Sequence, residues 1–569
     1  MGVESVNLEQ LPAAYYRSKN FIGSLIAVGL MAISLYLGYV LPVNSLTAID
    51  AELGPDKSSS LISTVFTLIS GVAVLLVGRF GDVFGRRYFL IGGQLLSLVG
   101  ALVCATAQKI PTIIGGSVLC GLAAAVQLTF TFVISELVPN KARPMVSSGL
   151  FLATFPFAAF GGLIAQMFIA NTQASWRWSY YLNIITSGLS VILLVLFYFP
   201  PGWDAKHKGE SRLDALKKFD YIGLVLYAGG LILLLLGLAW GGTSYAWSSA
   251  HVVSVLVIGL VCLIALVLYE IFAPLEQPLL PMSLLRNRGY SATVGSGIVG
   301  NMVYFSMSLL WPKAVGALFT KDPIQIGWHA VSVGCGCVMG EIACGLLMKP
   351  LGHSKYQLIG CTAAVMAFSG ALAAMDQDRE AYGLAFTAIG AFAVGYLELI
   401  TIIMCPLFCK SEDIGLASGF LGSAKSVGGT IATAIYVAIL NNRLSITIPA
   451  NVSAAATKAG LPQSSLTDLL KAVSSSSDTA MNAVPGINPH VTSAVMDAVR
   501  TANSQSFRTV FLVTVAFGGM SLVAALFSVD VDERLNNEVA AKLCGTEAST
   551  EKLCYEEDNM DFAGEKQGQ

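Results

Sequence analysis

Residues 252–269 read VVSVLVIGLVCLIALVLY, an eighteen-residue run without a charge or a proline. A helix rises ~1.5 Å per residue, so such a run covers ~27 Å, close to the ~30 Å of hydrocarbon in a bilayer. LILLLLGLAW at 231–240 and ILLVLFYF at 192–199 are the centres of similar segments. Working outward with a requirement of ~20 apolar residues per crossing, helices are expected near 21–46, 60–78, 88–107, 112–136, 146–169, 180–199, 221–240 and 252–273. Six more follow near 291–312, 325–348, 356–375, 381–405, 415–440 and 508–529. That makes about fourteen, an even number, which returns the chain to the side it started from. Period-two alternation is absent and the runs far exceed the ~10 residues of a barrel strand. The fold class is all-α, a polytopic membrane protein.

Composition agrees. Of the 569 residues only 12% are charged and 55% are hydrophobic, with a mean hydropathy of +0.69. A soluble surface built from so few charges would expose apolar area at ~25 cal/mol per Å². With 33 Lys plus Arg against 35 Asp plus Glu there is no basic field for nucleic acid. Most of the eleven cysteines lie in apolar spans, where free Cys acts as a small hydrophobe, so no disulfide framework is expected. Cys335-Gly-Cys337 and Cys405…Cys409 have no histidine cluster beside them and are not read as a metal site. The polar opening, MGVESVNLEQLPAAYYRSKN, carries no cleavable signal, so the first span is expected to be an uncleaved anchor.

Loop charge sets the expected orientation. Arg79, Arg86, Arg87, Lys141, Arg143, Lys206, Lys208, Arg212, Lys217, Lys218, Arg286 and Arg288 all fall in loops on one face, which reads as cytoplasmic together with both termini. The expected organisation is a tail at 1–20, a first bundle at 21–200, a linker with two further helices at 201–273, a second bundle at 274–530 and a disordered tail at 531–569. Residues 441–506, rich in Ser, Ala, Asn and Thr and punctuated by Pro449, Pro462, Pro485 and Pro489, read as a long extracellular loop. Asn451-Val-Ser453 within it is a glycosylation sequon.

Between the second and third spans stands Gly78-Arg-Phe-Gly-Asp82-Val-Phe-Gly85-Arg86-Arg87. It resembles the signature loop of the major facilitator superfamily, with Val83 where an Arg is usual. Trp176-Arg-Trp-Ser-Tyr-Tyr-Leu-Asn183, Phe219-Asp-Tyr-Ile-Gly223 with Leu238-Ala-Trp-Gly-Gly242, and Ser418 to Gly429 with Lys425, Gly428 and Gly429 are similar to segments of fourteen-span drug:proton antiporters. From about 20 to 530 the chain resembles the fungal trichothecene efflux pump and siderophore transporter cluster. The resemblance implies two six-helix bundles plus two inserted helices that stand aside, with cavity walls from helices 1, 4, 9 and 12. It also implies that Asp82 is a gating latch between the halves, with Arg86 and Arg87 anchored at the cytoplasmic headgroups. Two departures loosen the case for antiport: Ser117 stands where helix 4 usually carries an Arg, and Pro156 is separated from Gly161-Gly162 by four residues. Gly295-Ser-Gly297-Ile-Val-Gly300 matches a dinucleotide fingerprint, but it lies inside a span and reads as small-residue helix packing.

Ionisable groups inside spans are functional candidates by default. Glu398 and Glu341 are the candidates for proton coupling, and Lys425 is assigned to helix packing or to snorkelling toward the surface. Asp50 and Glu136 lie at span ends, open to solvation. Tyr36, Tyr39, Asn44, Gln127, Thr129, Thr131, Asn301 and Tyr304 fall on the implied cavity helices. An apolar wall with scattered amides and hydroxyls suits a bulky, mostly neutral organic molecule. The expectation is a monomeric secondary transporter, not an enzyme, with no cofactor and the proton gradient as energy source. Its place is the plasma membrane, or a vacuolar or vesicle membrane. Export of a hydrophobic toxin is favoured, with proton-coupled siderophore uptake and a non-transporting sensor left open.

Overall fold

In lipid every backbone N–H and C=O must find its partner within the segment, so these apolar runs fold as helices. The computed structural model describes residues 6–7, 13–54, 59, 61–200, 219–242, 245–273, 278–279, 282–410, 413–474, 481, 484–536 and 538–539, with the backbone alone at a few of them, Asp82 included. Fourteen described helices are long and apolar enough to cross a membrane. They are α1 (Lys19–Asn44), α2 (Leu61–Gly81), α3 (Arg86–Ala105), α4 (Ile110–Leu137), α5 (Arg143–Asn171), α6 (Arg177–Phe197) and α7 (Tyr221–Trp240). The chain continues with α8 (Ala250–Phe272), α9 (Arg288–Leu318), α10 (Ile324–Leu351), α11 (Ser354–Ala374), α12 (Glu380–Phe408), α13 (Ile414–Lys458) and α14 (Pro489–Leu526). A two-residue antiparallel pair, Val6–Asn7 with Glu538–Val539, brings these two segments together on one face.

In the first bundle α1 packs on α5 and α6, α3 on α4 and α6, and α2 on α4. In the second, α9 packs on α12, α13 and α14, α10 on α12, and α11 on α12 and α14. Two seams join the bundles, α5 against α10 and α2 against α13. Glycines make both seams close. A Cβ at Gly78 would stand 2.3 Å from the Gly415 carbonyl oxygen, and one at Gly345 would meet the Pro144 carbonyl oxygen at the same distance. The inserted pair does not stand aside: α7 packs on α2 and α13 through Tyr227, Leu231 and Leu235. Only α8 is peripheral, with Val257, Ile258, Leu260, Val261 and Ile264 exposed as a lipid-facing stripe.

The signature motif is nearly all helix. The second helix runs on to Phe84, and Gly85 alone makes the turn, with φ +87°, a conformation that favours glycine. Arg86 does not reach headgroups. It is buried, with Nη2 3.0 Å from Glu136 Oε1, and Glu136, expected to be solvated, is buried with it. Arg87 lies along α6, donating to the Val195 carbonyl oxygen at 3.1 Å with its guanidinium 3.9 Å from the centre of the Phe199 ring. The carboxylate at the end of α4 is what turns Arg86 inward. The Asp82 side chain lies outside the described residues.

Two further expectations are corrected. The described residues of 441–506 do not form one long loop but mainly the projecting ends of two helices with a short one between, Leu466–Ser474. Helix α13 has 45 residues, about 68 Å, more than twice the hydrocarbon thickness. Val452, Ala456, Leu469, Val491, Val495 and Ala498 give this layer its own core. Asn451 is inside it, its amide donating to the Thr447 carbonyl oxygen at 2.8 Å and to Gln505 Oε1 at 3.2 Å, so a glycan requires those bonds to open. The described C-terminal residues 531–536 and 538–539 lie beyond the expected boundary and make defined contacts. Asp530 Oδ1 accepts from Ser354 Oγ at 2.6 Å, and Asp532 accepts from the backbone N–H groups of His353 and Ser354, capping α11. His353, Asp530 and Asp532 are near enough to share an ion, but these carboxylates are already engaged as caps. The linker at 201–218 and the tail beyond Val539 lie outside the described residues.

On the opposite face, the tryptophan–arginine motif anchors the short helix Leu46–Leu53. Arg177 Nη1 is 2.5 Å from Glu52 Oε1, and Trp176 Nε1 donates to Oε2 at 2.7 Å. The hydrogen bond from Arg177 holds the Glu52 carboxyl below its usual range, against partial burial that pushes it up, with the Trp176 bond adding to the lowering.

Two predictions follow from these pairs. Leaving one partner of a buried ion pair costs ~3–5 kcal/mol, whereas apolar replacement of both is near neutral. Arg86→Met is therefore expected to lower the thermal unfolding temperature of the purified chain more than Arg86→Met with Glu136→Met. Equal losses would show that the pair is not the determinant. Because the Glu52 carboxyl is depressed, its stabilisation is present above the ordinary carboxylate range and is lost as pH falls through the folded value. The stability gap between the parent chain and Glu52→Gln is expected to narrow as pH drops below about 4. A gap constant from neutral to acid pH would contradict the assignment.

Candidate functional site

Helix α13 carries a lysine where its neighbours along the chain are small and uncharged. Lys425 is 7% exposed. It does not snorkel: Nζ is 2.5 Å from Glu398 Oε2 of α12. The surroundings make room for it. A Cβ at Gly297 of α9 would stand 2.9 Å from Lys425 Cε, so the glycine leaves the lysine stem its space. Asn301, one turn along α9, donates from Nδ2 to the Lys425 carbonyl oxygen at 2.7 Å. Gly428 and Gly429 of α13 lie against Ile298, Asn301 and Phe305.

Glu341 comes from α10, expected to be a flanking helix. It is 5% exposed, and its Oε2 has no hydrogen-bond partner among the described residues. Its one hydrogen-bonding neighbour among the described residues is the Cys337 thiol, with Sγ 4.0 Å from Oε1. What brings Glu341 into the interior is backbone contact. A Cβ at Gly395 would stand 1.8 Å from the Cys337 carbonyl oxygen and one at Gly340 would be 2.0 Å from that of Phe392, so α10 and α12 touch main chain to main chain. Across the seam, Ser148 of α5 donates to the carbonyl oxygens of Glu341 and Ile342 at 3.2 and 3.3 Å. Glu341 thus sits within electrostatic reach of Glu398 and Lys425, and Tyr36 of α1 within reach of both carboxylates, Cys337 and Tyr304.

The structure therefore gathers Tyr36, Asn301, Tyr304, Glu341, Glu398 and Lys425 into one polar cluster. Other predicted positions stay out of it. Tyr39 stacks on Phe66 with ring centres 5.2 Å apart and touches the cluster only at its edge, within electrostatic reach of Tyr304. Asn44 is exposed at the far end of α1 and donates to its own helix at Val40. Gln127 turns into the first bundle, 3.5 Å from Gln94 of α3. The Thr129 and Thr131 hydroxyls close on their own helix at Val126 and Leu128. The participants that sequence reasoning missed are Lys425 as an ionic partner and Cys337. The lysine was findable: a cation deep in an apolar span needs a counter-ion, and only two carboxylates lie at similar depth in the same half.

A cleft of about 380 Å³ opens at the terminal-bearing end of the α5–α10 seam, lined among others by Lys141, Pro144, Gly345 and Lys349. Gly345 is one helical turn from Glu341.

Comparison with known proteins agrees with this architecture. The model of the fungal trichothecene efflux pump family, TRI12, matches residues 4–561. The trichothecene efflux pump TRI12 of Fusarium sporotrichioides is 30% identical over 544 residues, covering 94% of this chain and 90% of that protein. Its counterpart in Trichoderma arundinaceum is 28% identical over 552 residues, with the same coverage of each. Among solved structures, the proton:xylose symporter XylE superposes with a TM-score of 0.53 over 93% of this chain and 98% of its own, at 14% identity. The human organic anion transporter MFSD10 gives 0.53 over 88% and 100%, at 9% identity. These two show the fold alone. Fourteen spans in two bundles with an inserted pair, and a family match along nearly the whole length, make this chain a member of the fungal trichothecene efflux pump family of the major facilitator superfamily.

Proposed function

We propose that this efflux-family membrane transporter exports a bulky, largely neutral organic molecule in exchange for protons. The observation that carries the reading is the interior cluster of buried Glu341 and Lys425 with half-buried Glu398. Charges in a membrane interior are expensive and persist where they move ions or hold a partner. Two carboxylates beside one ammonium leave an acidic group free to exchange a proton, and an aromatic, amide-bearing surround suits an uncharged ligand. A gradient would supply ~1.4 kcal/mol per pH unit and ~2.3 kcal/mol per 100 mV. The names of the relatives favour export over siderophore uptake. The loop charges of the terminal-bearing face support cytoplasmic termini, a monomer in the plasma membrane being the simplest arrangement.

Glu398→Gln is expected to abolish gradient-driven export from a transporter-depleted host while membrane delivery stays intact, read as lost resistance across a toxin panel. Undiminished, protonophore-sensitive export by that variant would remove the carboxylate from the mechanism. Orientation has its own measurement. A cysteine at Lys458, exposed on the projecting part of α13, is expected to react with a membrane-impermeant maleimide from outside intact cells. Labelling only after permeabilisation would reverse the topology.

A further inference from the structure

We infer that Glu341 is the group that holds the exchangeable proton, that Glu398 and Lys425 form a standing ion pair serving as its electrostatic reference, and that one proton is exchanged per cycle. The inference rests on proton-coupled export and assigns its parts.

Geometry separates the two carboxylates. Glu398 and Lys425 belong to α12 and α13 of the same bundle, with charged atoms 2.5 Å apart, and Asn301 of that bundle holds the lysine backbone. No motion of one bundle against the other pulls this pair apart. Glu341 stands on the seam itself. The carbonyl of its own residue accepts from Ser148 of the opposite bundle, and a Cβ at Gly345, one turn along, would stand 1.7 Å from Ser148 Oγ. Rocking the halves about a central site, the usual route of alternating access, changes the surroundings of Glu341 first. The cleft between α5 and α10 reaches to Gly345, one helical turn from Glu341.

Charge counting gives the stoichiometry. The groups facing Glu341 are Cys337 and Cys344 on its own helix, Tyr36 from α1, Tyr304 from α9, Glu398 from α12 and Lys425 from α13, with α5 presenting Ser148. The thiols and phenols are neutral, and the lysine is already matched by Glu398. With Glu341 as the acid the cluster sums to zero. An ionised Glu341 makes it −1, with an oxygen that no described group bonds. Release breaks the Glu341 O–H bond heterolytically, the proton passing to water in the opened seam and the electron pair staying on the carboxylate. Reloading from the other side restores neutrality. Exchange for an uncharged substrate therefore moves one positive charge inward per cycle.

The counter-ion role has a distinctive consequence. In Glu398→Gln the ammonium loses its partner and is free to pair with Glu341, fixing that carboxylate as ionised. In Glu398→Gln with Lys425→Gln both charges vanish, and Glu341 returns to the acid form. Infrared spectroscopy of the purified full-length chain at neutral pH, needing no substrate, reads this directly. The difference spectrum of parent minus Glu341→Gln is expected to show one carboxylic-acid C=O band. That band is expected to be missing from Glu398→Gln and restored in the double variant, whatever its turnover. A band that survives Glu341→Gln but disappears from both Glu398 variants would place the proton on Glu398 and overturn the assignment. A spectrum unchanged in all three would remove the cluster as a proton site. Monodispersity on size exclusion separates any loss from misfolding. If the spectra behave as expected while export proves insensitive to protonophore, proton-coupled export fails and the protonatable site remains.

Discussion

Helix α10 meets α12 within its bundle and α5 across the seam, in both cases backbone to backbone. In lipid the hydrophobic effect does not drive helices together, because hydrocarbon solvates apolar side chains as well as a neighbouring helix does. What remains is close packing, and it is densest where side chains are absent. Gly336, Gly340 and Gly395 remove them on the α12 side, and Gly334 and Gly345 on the α5 side. A helix held this tightly on two faces has little freedom to rotate. The direction in which Glu341 points is therefore set by glycines that themselves carry no chemistry.

The polar interior follows from that placement. Lys425 and Glu398 neutralise one another at contact distance, and α9 accommodates them by giving up a side chain at Gly297 and offering the Asn301 amide. The same logic recurs in the first bundle, where Arg86 is tolerated in the interior because Glu136 arrives from the end of α4. Glu341 is different. It receives a weak thiol contact from Cys337 and no matching cation of its own. A structural carboxylate would have been supplied with partners; a carboxyl left with an open oxygen is suited to changing its state.

Spans and bundle organisation were legible in the sequence because hydropathy acts over twenty residues and tolerates local error. The signature motif was legible as a motif but not as geometry: its second glycine makes the whole turn, and its first arginine is buried. The layer at 441–506 reads as a loop in the sequence because Ser, Asn and Thr lower its mean hydropathy. Its core is carried by a few residues such as Val452, Ala456, Val491 and Val495, spaced at helical intervals. Prolines at 449 and 489 look like breaks, yet one is tolerated inside α13 and the other sits in the first turn of α14, where its missing N–H costs nothing. Pairing was the least legible. Which face of α4 carries Gln127 inward to Gln94, or which carboxylate Lys425 selects, depends on helix rotation, and weakly amphipathic spans do not encode that rotation in hydropathy.

The connections across the seams bear on how the halves move. Segment 530–536 binds both: Arg534 donates to the Leu407 carbonyl oxygen at the end of α12, and Asn536 engages Asn140 and the backbone N–H of Lys141 between α4 and α5. On the other seam α7 lies on α2 and α13 together, and the Tyr227 hydroxyl meets Ser423, two residues from Lys425. Every such tie on the terminal-bearing face has to yield or bend when that face opens, whereas the Glu398–Lys425 pair does not. The energetic resistance to opening is therefore spread over hydrogen bonds at the periphery. The group whose environment changes stands at the seam between them, where a small displacement decides whether its carboxyl meets water or stays enclosed beside Cys337.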